Sequence, residues 1–204
     1  MHLVPTEEEV LDLLRRSGGL REGHFVYPSG LHTREYLQVP LAMRHYETAK
    51  ILSVGLSRLL RAHADIRAVI PELSIVAPAT GGLPVAYGIC EALRANQVYW
   101  AERDHDHEPL HFREFFELTP GEKVVLVDDI LRRGSRMTEL KNLVESRGGE
   151  VIAIAVVVHQ PVPDAATFGD LPFYKLATLH STFYPDAASC DSCVKGAPVT
   201  KVTI

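Results

Sequence analysis

Between Val124 and Arg136 the chain reads Val-Val-Leu-Val-Asp-Asp-Ile-Leu-Arg-Arg-Gly-Ser-Arg. Four apolar residues rich in valine predict a buried strand. Asp128 and Asp129 stand at its C-terminal end, followed by a short loop with Gly134 and a predicted helix from about Arg136. In an open α/β sheet, ligands bind beyond the carboxyl ends of the strands. Backbone N–H groups of such a loop, with the helix N-terminus, suit a phosphate. Paired carboxylates suit ribose hydroxyls, from which they accept hydrogen bonds, or a metal-bound sugar. Phosphate and sugar together describe a phosphosugar. The competing reading is a strand that ends in a solvated Asp-Asp turn.

The same order of strand, glycine loop and helix recurs from Ile75 to Ala86, with Ala79, Thr80, Gly81 and Gly82 in the loop. Glycines let backbone amides approach an anion without obstruction by Cβ. Alone, a Gly-Gly turn before a helix is usually just a turn. Two such loops on parallel strands suit a substrate that carries a phosphate and a diphosphate.

The elements that must hold these loops follow from periodicity. Thr6 with Glu7, Glu8 and Glu9 starts a helix whose apolar face is Val10, Leu11, Leu13 and Leu14. Residues 22–40 read as loop or hairpin. Further helices are predicted over 46–63, 84–95 and 137–147. Strands are predicted over 73–77, 97–101, 123–127 and 151–158, with others at 112–118 and 172–179. The alternation predicts an α/β fold: a mostly parallel central sheet flanked by helices, with right-handed crossovers and a small N-terminal hood. One domain is expected, with helix and hood over 1–45, core over 46–180 and an irregular tail over 181–204.

The net charge of −5, from 21 basic and 26 acidic residues, argues against a nucleic-acid partner. No apolar run approaches the roughly 20 residues that span a bilayer, so no membrane partner is expected. The N-terminus lacks a signal-peptide pattern. Three cysteines make no disulfide framework, which points to a reducing cytoplasm. Cys190 and Cys193 have zinc-knuckle spacing, but a structural zinc wants four ligands, and a surface thiol pair is the expectation. His105, His107 and His111, with Asp106 and Glu108, fit no closed tetrahedral site and read as a polar loop. Phe25, Tyr27 and Tyr36 either stack on a base or pack the hood.

The stretch 124–136 resembles the phosphoribosyl diphosphate (PRPP) motif of the type I phosphoribosyltransferases: four hydrophobics, two acids, two hydrophobics and a loop usually written Thr-Thr-Gly-Gly-Ser. Asp128 and Asp129 match the acids and Gly134 a loop glycine. Arg132, Arg133 and Arg136 replace loop hydroxyls, while Ser135 supplies one. Within that family the chain is most similar to the orotate phosphoribosyltransferases. The segment Gly23-His-Phe-Val-Tyr-Pro-Ser-Gly-Leu-His-Thr-Arg-Glu-Tyr resembles their N-terminal signature. The segments Trp100-Ala-Glu-Arg and Phe116-Glu-Leu-Thr-Pro-Gly-Glu-Lys-Val resemble the approach to the motif, and Cys190-Asp-Ser-Cys193 a Cys-x-x-Cys near the C-terminus of some members.

The resemblance implies the type I fold and transfer of phosphoribosyl from PRPP to a nucleobase, most readily orotate, giving orotidine 5′-monophosphate and diphosphate for pyrimidine synthesis. Asp128, Asp129 and Arg103 become the catalytic set. Ala79, Thr80, Gly81, Gly82, Arg132, Arg133, Gly134, Ser135 and Arg136 become the phosphate-binding set. Phe25, Tyr27 and Gln160 become the base-binding set. Mg²⁺ is implied as the cofactor, carried on PRPP with no direct protein ligand, and the assembly is a homodimer. The chain departs from the family at two base-holding positions: Arg132 replaces a loop threonine, and Gln160 replaces an arginine on the next strand. In the hood loop, Arg103 and Arg113 are kept, but Glu114 and Phe115 stand where a basic residue and a glycine are common. Three other functions stay open: transfer to another base, a catalytically silent PRPP or nucleotide-binding regulator, and, more distantly, a redox or zinc role for the cysteines.

Overall fold

The computed structural model describes residues 4–105, 108–114 and 116–202; Asp106, His107 and Phe115 lie outside that description. Its frame is an all-parallel five-stranded sheet of β3 (Ser74–Pro78), β4 (Gln97–Ala101), β5 (Lys123–Leu131), β6 (Glu150–His159) and β7 (Phe173–Thr178), in the order β4-β3-β5-β6-β7. The central strands are buried on both faces, as parallel sheets are. Alternation still sorts their side chains. Val125 and Val127 face a large core with Leu52, Leu56 and Leu60 of α3 (Tyr46–Ala62) and Ile89 of α5 (Gly82–Leu93). Val124 and Leu126 face Met137, Leu140 and Val144 of α6 (Ser135–Ser146).

The N-terminal helix α1 (Glu7–Arg16) starts as expected: Thr6 accepts from the Glu9 N–H at 3.2 Å, and the Glu9 carboxylate accepts from the Thr6 N–H at 2.8 Å. This capping box satisfies two donors that the first turn leaves unpaired. Residues 22–40 contain an antiparallel hairpin, β1 (Leu20–Val26) with β2 (His32–Leu37), and then a short helix, α2 (Val39–Met43). Residues 64–69, left unassigned by periodicity, form a further helix, α4 (Ala64–Val69).

Three expectations are corrected. The motif strand runs to Leu131, so Asp128 and Asp129 sit inside it rather than beyond its end; pairing of Asp128, Ile130 and Leu131 with β6 carries the ladder on. No strand covers 112–118 among the described residues: only a bridge joins Glu102 to His111, and Phe112 packs on Tyr99. The tail is not wholly irregular. It holds β8 (Phe183–Tyr184), α7 (Asp191–Val194) and β9 (Thr200–Lys201), and both strands join the hairpin in a hood sheet of order β8-β2-β1-β9. Two-residue strands carry no periodicity to read.

Helices α3 and α5 approach closely at Gly88, where an added Cβ would lie 2.1 Å from Ser53 Oγ and 2.9 Å from Ser53 Cβ. Turning the hydroxyl away leaves the Cβ collision. Gly88→Ala should therefore lower the melting temperature, although alanine is the better helix former by about 1 kcal/mol. Overpacking of about 1–3 kcal/mol outweighs that gain. Calorimetry of the two proteins checks the sign.

Candidate active site

The sheet order decides where a ligand can sit. From β3 the chain moves outward to β4 and then returns past β3 to β5. Connections leaving neighbouring strands in opposite directions open a crevice at their carboxyl ends. The loops after β3 and β5 flank a cavity of about 590 Å³ there, within the usual size of small-ligand sites.

Asp128 and Asp129 form its floor. The Asp129 N–H donates to Asp128 Oδ1 and the Ile130 N–H to Asp129 Oδ1, both at 2.8 Å, which fixes the two carboxylates. The loop after β3 presses against them. A Cβ on Gly81 would fall 2.9 Å from Asp129 Oδ2, and one on Gly82 3.0 Å from Ala77 Cβ. A side chain at either position would push its neighbour aside. Thr80 and Gly81 line the cavity; Ala79 and Gly82 stand behind them, with the Ala79 N–H bonded to the Ala101 carbonyl at 2.7 Å.

The second loop supplies the opposite wall. Arg133, Gly134, Ser135 and Arg136 all line the cavity. Gly134 adopts φ +78° immediately before α6, a conformation that L side chains resist. The first-turn N–H groups of α6 then point outward from the helix start, as an anion requires.

Arg132 behaves differently from its neighbours. Its guanidinium donates to Gln160 Oε1 at 2.7 Å and to the Leu37 carbonyl at 3.2 Å, and it lies over the Tyr27 ring at 5.6 Å. It therefore turns from the loop before α6 toward the hood. Gln160 is fully buried and does not line the cavity; its Nε2 donates to Ser181 Oγ at 2.9 Å. It reaches the cavity only through Arg132. Tyr27 lines the cavity, and its hydroxyl is buried without a hydrogen-bond partner among the described residues. Phe25 does not line it; it packs against Tyr36 and Val202 in the hood core.

Arg103 also stands apart from the cavity. It donates to the Glu139 carboxylate on α6 and to the Glu108 carbonyl. Glu139 accepts from the Leu110 N–H at 2.6 Å as well, so one carboxylate ties this segment to α6. Arg113 pairs with Glu102 and Asp104. The sequence reading missed Glu139, Ser181, and the cavity walls at Leu37, Phe183 and Val202. Lone apolar residues and a helix-face glutamate give no local signal.

Comparison with known proteins fits this geometry. The phosphoribosyl transferase domain family matches residues 60–166, and the protein named orotate phosphoribosyltransferase from Carboxydothermus hydrogenoformans is 34% identical over 95% of each chain. The chain belongs to the phosphoribosyltransferase family. A second protein named orotate phosphoribosyltransferase, from Thermus thermophilus, is 31% identical over 95% of this chain and all of its own. A crystal structure of orotate phosphoribosyltransferase from Aeropyrum pernix superposes with a TM-score of 0.65 at 20% identity, covering 83% of this chain and 93% of that one. A Mycobacterium tuberculosis orotate phosphoribosyltransferase in complex with inorganic phosphate gives 0.65 at 22% identity, covering 85% and 95%. These structural likenesses bear on the fold: the five parallel strands and flanking helices are those of the type I phosphoribosyltransferases.

Electrostatics in this phosphoribosyltransferase are set by burial. Burial pushes the Asp128 carboxyl well above the usual carboxylate range, and the neighbouring Asp129 charge adds to the rise. Burial raises Asp129 as well, opposed by its hydrogen bonds with Asp128 and the Ile130 N–H and by Arg132 and Arg136. Raised carboxyls favour folding in the protonated form, so their contribution is full below the unfolded value near about 4 and is lost as pH rises through the raised pKa values. Asp128→Asn removes the charge at nearly constant shape. It should melt higher than the parent at pH 8, by about 2–4 °C for each kcal/mol relieved, and the difference should shrink toward pH 4. Thermal melts across that range check this.

Proposed function

We propose that the protein transfers the 5-phosphoribosyl group of PRPP to orotate, forming orotidine 5′-monophosphate and diphosphate. What carries the choice of base is Arg132. Measured against the family pattern, threonine has become arginine at 132 and arginine has become glutamine at 160. The two side chains are hydrogen bonded to each other. The guanidinium has thus moved from one strand to the neighbouring loop, and the site keeps one cation at its base end. Guanidinium donors match a carboxylate in bidentate fashion, and orotate carries one. The Tyr27 ring lies against this guanidinium and also lines the cavity.

The remaining groups divide the substrate between them. Backbone N–H groups of 133–136, with Arg133 or Arg136, take the 5′-phosphate. Thr80 and Gly81 take the diphosphate. Asp128 and Asp129 accept hydrogen bonds from the ribose hydroxyls and favour positive charge at the anomeric carbon as its bond to diphosphate lengthens. The base nitrogen attacks that carbon as the diphosphate leaves. Arg103 exchanges Glu139 for the departing diphosphate, and the segment that carries it covers the site against water. The paired carboxylates of Asp128 and Asp129, fixed by the backbone N–H groups of Asp129 and Ile130, suit a hard cation brought in by the substrate, and Mg²⁺ on PRPP would neutralise charge on the diphosphate. The same reading carries a homodimer in the cytoplasm.

Orotate consumption with PRPP and Mg²⁺, run beside a panel of other bases, tests the assignment. Turnover with orotate alone is the expected result; turnover with a purine only, or PRPP binding without turnover, would replace it. Asp128→Asn with Asp129→Asn should lower kcat by about 10²-fold or more. Arg132→Ala should raise the KM for orotate about 10- to 100-fold, the loss of a charge-assisted hydrogen bond of about 1.5–3 kcal/mol. Arg132→Thr combined with Gln160→Arg should recover orotate turnover over either single variant. Steady-state kinetics on the four proteins of that cycle read the coupling directly.

A further inference from the structure

The hood holds a second cluster of chemistry-bearing groups, away from the cavity. His24 on β1, His32 on β2, and Cys190 and Cys193 at the start of α7 bring four potential ligand atoms within 4.8 Å of one another. His24 Nε2 lies 3.0 Å from His32 Nδ1, 3.4 Å from Cys193 Sγ and 3.6 Å from Cys190 Sγ; Cys193 Sγ is 3.4 Å from His32 Nδ1. His24, His32 and Cys190 are buried. The cysteines form no disulfide.

Hydrogen bonding alone does not account for this arrangement. His24 Nδ1 lies 3.1 Å from the Ala197 carbonyl, which can only accept, so Nδ1 carries the proton. A neutral His24 then has one lone pair, at Nε2, and three groups converge on it. One lone pair serves one donor. A single cation at the centre accepts a lone pair from each of the four atoms. Tetrahedral zinc with bonds of about 2.0–2.1 Å to nitrogen and 2.3 Å to sulfur sets its ligand atoms about 3.3–3.8 Å apart; the three nitrogen–sulfur distances of 3.4, 3.4 and 3.6 Å match, and the 3.0 Å nitrogen pair would open slightly on binding. The Ala197 carbonyl plays the part that an outer partner plays at metal-bound histidines, holding the ring and its tautomer.

We propose that His24, His32, Cys190 and Cys193 bind one structural Zn²⁺ that staples the C-terminal segment to the hood. Two thiolates and two neutral imidazoles leave the site neutral, and four protein ligands leave no open position for catalysis. The expected surface thiol pair is thereby replaced by half of a four-ligand set. The missing half was invisible because His24 and His32 become neighbours only when the β1–β2 hairpin forms. The bonds around the site support a staple: Arg34 on β2 and Tyr184 on β8 both donate to Asp191, at 2.9 and 3.0 Å. The stapled segment carries Phe183 and Val202, which wall the substrate cavity.

The test is metal analysis of the full-length protein, purified under reducing conditions without chelator from zinc-supplemented cells. Elemental analysis should give about one zinc per chain, as a closed four-ligand site requires. Cys193→Ser and His32→Ala should lose it, and Cys90→Ser, outside the cluster, should keep it. Cobalt(II) substitution of the parent should give thiolate charge-transfer and tetrahedral ligand-field bands, a readout that needs no variant to fold. Chelation should lower the melting temperature of the parent and leave that of Cys193→Ser unchanged. Absence of both zinc and the cobalt bands would overturn the proposal, as would full zinc retention by Cys193→Ser or a Cys190–Cys193 disulfide in the purified protein. None of these readouts depends on which base the enzyme accepts.

Discussion

Two adjacent carboxylates inside a central strand, Asp128 buried and Asp129 half-buried, govern much of this molecule. Charges are costly to bury without partners, and Asp128 and Asp129 are held above their ordinary pKa values by burial. The surrounding sequence is organised around that cost. Gly81 and Gly82 let the neighbouring loop close over the pair, β6 extends the ladder to lock the backbone that carries them, and Arg132 and Arg136 offset their charge. A substrate rich in hydroxyls and accompanied by a cation is the natural complement. Instability stored at a binding site is a common accompaniment of function.

The parallel sheet was legible because its signals are local. Valine-rich runs of four to eight residues, separated by amphipathic helices, allow few arrangements. The cavity floor and the two glycine loops beside it were legible for the same reason: Asp128-Asp129, Gly81-Gly82 and Gly134 each sit near a strand-to-helix junction that punctuates itself. The base end was not. Gln160 read alone suggested a lost cation, and Arg132 read alone suggested one more phosphate contact. Their hydrogen bond joins residues 28 apart, and only the adjacency of β5 and β6 brings them together.

The hood escaped the sequence reading in a similar way. Phe183 and Val202 wall the cavity, yet their strands are two residues long or adjoin one that is. Backbone pairing with β1 and β2 places them, and such pairing leaves no periodic trace. Arg103, expected at the site, instead pairs with Glu139 away from the cavity, and Glu139 belongs to a helix face where a glutamate reads as solvated surface.

The hood sheet is made from the two extremes of the sequence, since β1 pairs in parallel with β9. Contacts between residues so far apart form late, because the chain between them must first be ordered. The central sheet has no such requirement; its strands follow one another closely and can assemble with their own helices. The chain would thus assemble the cavity floor early and the wall of Phe183 and Val202 last. The enclosure of the cavity therefore depends on both ends of the described chain being folded together.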